Sequence, residues 1–500
     1  MRTGSVSALQ PGPPMSYLSV TRVMVFCCLS YCVSTYAQQD TSDRLWMQSE
    51  QNSQRLQQQL LPDDTDSQAS EAYQAAIDAM TLTPEGRLQR LTLEILKAVN
   101  HKDWFGASRL LSQYARVPHH DPALFDFVSA SRLAASGDYN HAVDQYRKVL
   151  ETNPYFSRGS LDLGRVLYTD NRLHDAGIVF RQLKTQAHPD DIRQYIDQYT
   201  KAIEERQQLH VSLSASWVHE DNLNQASTYV DSCAMIFDGA CHTNIPVAKK
   251  GDSGLYYEAS ADKLWSLAGH HNILFRSINY GNHYYHENSY DNFVSTNYLG
   301  YQFNSAHNQI QVLPSFEYDN EGGHKAYHAF GMRASFRRQL TPRALAELSY
   351  EYKNRHFSHN FSYLQGNYQG ISLFGVYWLH PSTQLYGNLM WRDNDAKQKV
   401  FAYREKIARV GIFKSFQNQI TLNIAYTFRH KEAESSNAFF GGRRQRDNEN
   451  GIYVGLTAPY LSWHGLTPTF SYEYRKNRST IPHAYTFEKS RTMLGVSKIF

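Results

Sequence analysis

From residue 211 to residue 500 the chain is written in a period of two. In Thr469-Phe470-Ser471-Tyr472-Glu473-Tyr474-Arg475, the aromatic residues Phe470, Tyr472 and Tyr474 fall on one side and the polar residues on the other. Only extended backbone sends alternate side chains to opposite faces, so each such run predicts a strand with one oily and one wet face. Ile420, Leu422, Ile424, Tyr426 and Phe428 stand in the same way against Thr421, Asn423, Thr427 and Arg429. Ala346, Leu348, Tyr350 and Tyr352 stand against Glu347, Ser349, Glu351 and Lys353. A soluble sandwich shows similar alternation, but three features here favour an antiparallel transmembrane β-barrel. The runs are long, their apolar side is rich in Tyr and Phe, and short connections (268–271, 304–308, 339–342, 380–382, 417–419, 462–465) alternate with longer polar ones (221–253, 281–289, 319–325, 358–366, 393–399, 430–448, 477–483). Counting the runs between them predicts about fourteen strands, an even number as single-chain bacterial barrels require.

Composition agrees with that class and excludes others. A mean hydropathy of −0.56 and the absence of an apolar run of about 18 residues after the first 37 rule out a helical membrane protein. A barrel escapes that test because only alternate residues need to be oily. The 35 tyrosines are what two interfacial aromatic girdles would consume. A formal net charge of +3 is too mild to argue for nucleic acid.

The N-terminus predicts a secretory signal over residues 1–37, with Arg22 before the apolar run 23–33 and Thr35-Tyr36-Ala37 at its end. Cleavage is expected between Ala37 and Gln38, with Met1 or Met15 as the start. Leu29-Ser30-Tyr31-Cys32 loosely resembles a lipoprotein box, against which the bulky Tyr31 argues. Cleavage removes Cys27, Cys28 and Cys32 and leaves Cys233 and Cys241, close together in the longest inter-strand loop. In an oxidising periplasm their expected state is a disulfide. Metal binding ranks below it, because no further Cys or His stands at ligand spacing.

Residues 38–70, rich in Gln, Ser and Asp, read either as a flexible linker or as one helix with a sparse stripe of Leu45, Trp46, Leu56, Leu60 and Leu61. Over residues 71–208 the period changes to about 3.6, which predicts helices. Gly137, Tyr139, Ala142, Tyr146 and Pro154 are answered 34 residues later by Asn171, Leu173, Ala176, Phe180 and, one place further on, Pro189; Ala130 maps onto Gly164. That period, with a small residue where helices touch and an aromatic in the second helix, resembles the tetratricopeptide repeat (TPR). Lys102-Asp103-Trp104, Ala107 and Leu111 read as a degenerate earlier copy. Stacked helix pairs offer a concave groove for a peptide or partner protein; a brace for the barrel is the plainer alternative.

The predicted fold class is thus α + β multidomain, a TPR-like helical domain (71–208) followed by a β-barrel (209–500). Because the helical domain precedes the first strand and the chain ends just after the last, an even barrel leaves both on the side of the short turns, the periplasm. A terminal Phe500 closing an amphipathic strand resembles the C-terminal signal of outer-membrane barrels, with Lys498 a departure from the usual hydrophobic residue there. The alternation turns Arg333, Arg337, Glu347, Glu351, Lys353, Arg429, Glu473, Arg475 and Arg491 inward, a lumen of both signs. Such residues suit contact with a passing chain, and equally the internal pairing that every barrel needs.

A signal peptide, a short helical-repeat domain and about fourteen C-terminal strands together resemble the surface lipoprotein assembly modulator (Slam) family of Gram-negative bacteria. The resemblance covers nearly all of the chain after residue 37 and implies an outer-membrane translocon with no catalytic residue and no cofactor. Its implied partners are outer-membrane lipid, a client surface lipoprotein or secreted haem-binding protein, periplasmic chaperones and the barrel assembly machinery. The runner-up is a TPR-linked polysaccharide export porin, which would favour a longer repeat array and a lumen biased to one sign. An outer-membrane enzyme ranks third: His283, His286, His324, His328, His356 and His359 sit at loop bases, without visible carboxylate partners.

Overall fold

The computed structural model describes Thr41 and residues 44–47, 84–229, 235–237, 240–242, 247–417 and 419–500. The segment 1–37 with its Ala37–Gln38 cleavage point, Cys233 and the side chain of Cys241 lie outside them, so the expected disulfide does too.

The helical region comprises α1 (Pro84–Asn100), α2 (Trp104–Tyr114), α3 (Ala123–Ala135), α4 (Tyr139–Thr152), α5 (Ser157–Thr169), α6 (Leu173–Lys184) and α7 (Asp190–Gln207). The first six form three consecutive hairpins, and the turn inside each carries one residue in left-handed backbone: Lys102 (φ 56°), Gly137 (φ 84°) and Asn171 (φ 58°). Gly enters that conformation freely and Asn at small cost, whereas Lys is strained there, which suits the degenerate first copy. Asp103 then caps α2 by accepting from Gly106 N at 2.8 Å, and Asp138 caps α4 through His141 N.

Ala130, Ala142, Ala176 and Phe180 are fully shielded and Tyr146 nearly so. At Gly164 the helices approach so closely that a Cβ would meet Phe180 Cζ at 2.8 Å. Phe180 stacks in turn on Tyr199 of α7, with ring centroids 4.9 Å apart, so α7 closes the array. Pro154 lies just beyond the last turn of α4, after the capping Asn153. Phe180→Ala is therefore expected to cost the helical region about 3–5 kcal/mol. Far-UV circular dichroism in urea should record it as an earlier helical transition.

Two residues after α7 the barrel begins. Its strands are β1 (His210–Glu220), β2 (Asp252–Ser266), β3 (His271–Tyr284), β4 (Asn292–Asn304), β5 (Asn308–Glu321), β6 (His324–Thr341), β7 (Ala344–Phe357), β8 (Gly366–His380), β9 (Thr383–Asn394), β10 (Tyr403–Ser415), β11 (Thr421–Asn437), β12 (Arg443–Thr457), β13 (Thr467–Ser479) and β14 (Phe487–Ile499). All fourteen are antiparallel to their chain neighbours, and β1 pairs with β14 to close the ring. At that seam Phe500 and Val211 exchange both backbone hydrogen bonds, Phe500 N to Val211 O at 2.8 Å. Ring closure leaves no unpaired edge, the condition for crossing lipid in strands.

The outside of the ring is a belt of exposed apolar side chains, among them Trp217, Ile273, Phe330, Phe336, Leu348, Leu373, Leu389, Val410, Tyr426 and Leu494. Such a surface is stable against acyl chains and not against water; the protein spans the outer membrane. The 221–251 connection carries a two-stranded hairpin, Met235–Phe237 with Ala240–His242. Several connections are shorter than the sequence predicts. Segment 430–448 is mostly paired strand, interrupted only at 438–442, and 319–325 is a tight turn at Gly322 and Gly323. Beyond the apolar belt polar residues occupy both faces, as in the pairs His430 with Asn448 and Lys431 with Asp447, so the alternation fades although the ladder continues.

Candidate functional site in the barrel lumen

Alternate residues opposite the apolar belt face the interior, and there the strands carry charge. On β5–β7, Lys353 Nζ is bound by Glu317 at 2.8 Å and Glu351 at 3.3 Å. Arg333 lies within 3.8 Å of Glu347 and 4.0 Å of Glu351, and Arg337 meets Glu347 at 2.5 Å. Across the ring, Glu449 is shared by Arg429 at 3.6 Å and Arg475 at 3.7 Å, with Glu473 beside Arg475 at 3.4 Å. At the seam Glu220 of β1 binds Lys489 at 2.5 Å and Arg491 at 3.6 Å, both from β14. Arg392 and Glu405 join β9 to β10 at 3.4 Å.

The nine charged residues singled out in the sequence thus fall into two clusters, with Arg333, Arg337, Glu347, Glu351 and Lys353 in one and Arg429, Glu473, Arg475 and Arg491 in the other. Their partners Glu317, Glu449, Glu220 and Lys489 were not singled out. All four lie within runs that the sequence already marks as strand, and the same parity rule reaches each of them. Charges taken out of water are stable only when paired, so the interior is held as a set rather than residue by residue.

One sector of the wall is different. On β2–β5 the inward residues Tyr256, Leu274, Ile278, Tyr280, Tyr298 and Leu313 are apolar or aromatic and buried, and residues 44–47 form a helical turn against them. The helix reading of 38–70 anticipates a helical turn with apolar Leu45 and Trp46, but neither reading places it against the inner wall of the barrel. Trp46 is 4% exposed. Its ring meets Tyr298 edge-on at 4.9 Å, and the guanidinium carbons of Arg276 and Arg333 each lie 4.4 Å from its centroid. Each cation–π contact is worth about 0.5–2 kcal/mol, the larger figure where water is excluded. Arg44 reaches Glu258 at 2.5 Å and the Tyr256 hydroxyl at 3.0 Å. The sequence does hold a trace of this wall: Ile273-Leu274 in β3 breaks the alternation, because Ile273 lies in the outer apolar belt while Leu274 is buried against the apolar interior.

The helical region is anchored at the short-turn mouth. Asp170, capping α5, receives Ala306 N at 3.2 Å and meets His270 Nε2 at 2.6 Å. Asn171 Nδ2 donates to Ser305 O at 3.0 Å, and Gly269 N donates to Asp175 at 3.4 Å. Tyr139 stacks on His307, and Lys263 donates to Gln207 O at 2.6 Å. Burial, and the charge of Asp170 beside it, push the Tyr139 hydroxyl above its ordinary pKa. Arg206 of α7, 4.1 Å from the Tyr168 centroid, is held below the usual guanidinium value by burial. The repeat turns that carry Gly137 and Asn171 are thus also the surface that meets the barrel.

The loop-base histidines are scattered. His283 pairs with Asp291 at 2.7 Å and His286 with Asp252 at 3.0 Å, both exposed, while His328 and His356 stack on each other at 5.3 Å. His324 meets Gly322 O at 2.9 Å, and His359 opens the short helical turn His359–Leu364. Among the described residues no group of three or more His, Cys, Asp or Glu is arranged to hold a metal.

Comparison with known proteins agrees with this architecture. The family model described as surface lipoprotein assembly modifier matches residues 209–500, and the model for its N-terminal TPR repeats matches residues 77–180. A hemophilin secretion modulator of Acinetobacter baumannii is 24% identical over 93% of this chain and 97% of its own length. A surface lipoprotein assembly modifier of Pasteurella multocida is 24% identical over 87% of both chains. Surface lipoprotein assembly modifier 1 of Haemophilus influenzae is 22% identical over 81% of this chain and 84% of its own. With its barrel matched from first strand to last and its repeats matched separately, the chain belongs to the surface lipoprotein assembly modifier family.

Proposed function

We propose that this protein is an outer-membrane translocon that passes a surface lipoprotein, or a secreted protein of the hemophilin kind, from the periplasm to the cell surface. The observation that carries the reading is the union of two parts. A helical-repeat domain of the kind that grips extended chains is bolted to the short-turn mouth of a barrel too wide for its own side chains to fill. The nine lumenal charges would then hold the passage closed at rest and offer hydrogen bonds to an extended client. Paired charges of both signs favour a polypeptide over a polysaccharide of one sign. Removal of residues 1–37 would deliver the chain to the periplasm, chaperones would carry it, and the barrel assembly machinery would insert it into lipid with Phe500 as its cue. The Cys233–Cys241 bridge would brace the surface loop.

Deleting the gene is expected to abolish surface exposure of the lipoprotein, or secretion of the soluble client, encoded beside it, measured with antibody on intact cells and on culture medium. Undiminished exposure and secretion would sink the reading. A finer test is Asp170→Ala, which removes charge-assisted hydrogen bonds worth about 1.5–3 kcal/mol at the mouth. The expected result is a normally assembled barrel with reduced client display. Normal display, in this variant and in one lacking residues 71–208, would make the repeats a brace.

A further inference from the structure

The charged sectors of the lumen explain themselves by pairing, whereas the aromatic sector on β2–β5 is explained only by what sits on it. We propose that this sector is a peptide-binding site, selective for a basic residue two positions before an aromatic. Its resident ligand is Arg44-Leu45-Trp46, and an exported chain carrying the same Arg/Lys-x-aromatic pattern displaces that segment to open the passage. The second clause rests on the translocon reading above; the first does not.

The recognition elements are separate and both are built into strands. For the aromatic there is a slot: Arg276 from β3 and Arg333 from β6, three strands apart, each bring a guanidinium to 4.4 Å from the Trp46 centroid, and Tyr298 closes it edge-on at 4.9 Å. Guanidinium groups select a π face over an aliphatic side chain of the same volume. For the base there is Glu258, half-buried on β2 and already supported by Ser214 Oγ at 3.2 Å, which takes Arg44 at 2.5 Å. Leu45 lies between them on the apolar floor, 7% exposed.

The occupant is exchangeable rather than structural. Among the described residues the buried indole Nε1–H of Trp46 finds no acceptor, so a chain that supplies one would gain over the resident segment. Thirty-six residues of sequence separate Met47 from Pro84 at the start of α1. Beside Trp46 a cavity of about 60 Å³ opens along β6–β9, lined by Arg333, Arg337, Glu347, Trp378 and Arg392. Departure of the segment joins its own volume to that cavity.

The full chain in planar bilayers tests this without any client. Trp46→Ala and Arg44→Glu are each expected to raise ion conductance severalfold. The double variant Arg44→Glu/Glu258→Arg restores the ion pair in reverse and returns conductance toward the wild-type level. A synthetic decapeptide of residues 41–50 blocks the Trp46→Ala channel, and the same peptide carrying Trp46→Ala blocks roughly tenfold more weakly or not at all. Heat-modifiable migration on gels establishes that every variant has assembled. Unchanged conductance in both single variants, or equal block by the two peptides, overturns the site. A Gly-Ser peptide bearing one Lys-Ala-Tyr stretch extends the test to foreign chains: block supports displacement by a client, and its absence overturns that clause. Because these are currents, the translocon reading fails separately, through the display assay.

Discussion

Lys353→Met is expected to destabilise the barrel by about 3–5 kcal/mol, the cost of leaving buried carboxylates without their cation. Lys353 is 2% exposed and stands between Glu317, 3% exposed, and Glu351, 6% exposed. Glu317 also accepts from Thr296 and Tyr327, so it cannot swing away to water. Reversible folding into phospholipid vesicles, titrated with guanidinium chloride, measures the loss. The triple variant Glu317→Gln/Glu351→Gln/Lys353→Met, which removes the charges together, should recover much of it. The opposite ordering, with the triple variant worse than the single, would show that these groups act by hydrogen-bond geometry rather than by charge balance.

Leu389→Arg is expected to cost about 2–4 kcal/mol in the same assay, because Leu389 is exposed on the outer face near the middle of β9 and would place a charge in the lipid midplane. Its chain neighbour Asn388 faces the lumen, where it accepts from Ser372. Asn388→Arg should therefore cost much less despite the larger change in size. Equal penalties would contradict the assignment of the two faces. Detergent-free solubility of the wild-type chain would contradict it as well.

Much of this architecture is legible in the order of residues because it is periodic. Phe470, Tyr472 and Tyr474 must share a face in any strand, and Ala142, Tyr146, Ala176 and Phe180 must share an interface in any stack of helices 34 residues apart. Periodicity fades where environment ceases to alternate. The strands of 430–448 run on with polar residues on both faces, and so pass for loop. Pairing partners are equally hidden: Arg475 of β13 and Arg429 of β11 share one carboxylate, Glu449, because β12 lies between them, which parity alone does not disclose.

The chain's own composition and period decided that it would cross a membrane in strands, that an even ring would close, and that a helical-repeat domain would hang on the short-turn side. Those outcomes depend on local geometry, since a residue's face follows from its position in a repeat of two or of 3.6. What fills the ring, and how the helices meet its mouth, was decided only in three dimensions. Trp46 reaches Arg276 and Arg333 from more than two hundred residues away, and Asp170 meets His270 across one hundred. No period links such residues; they become neighbours only when the barrel closes around one and docks against the other.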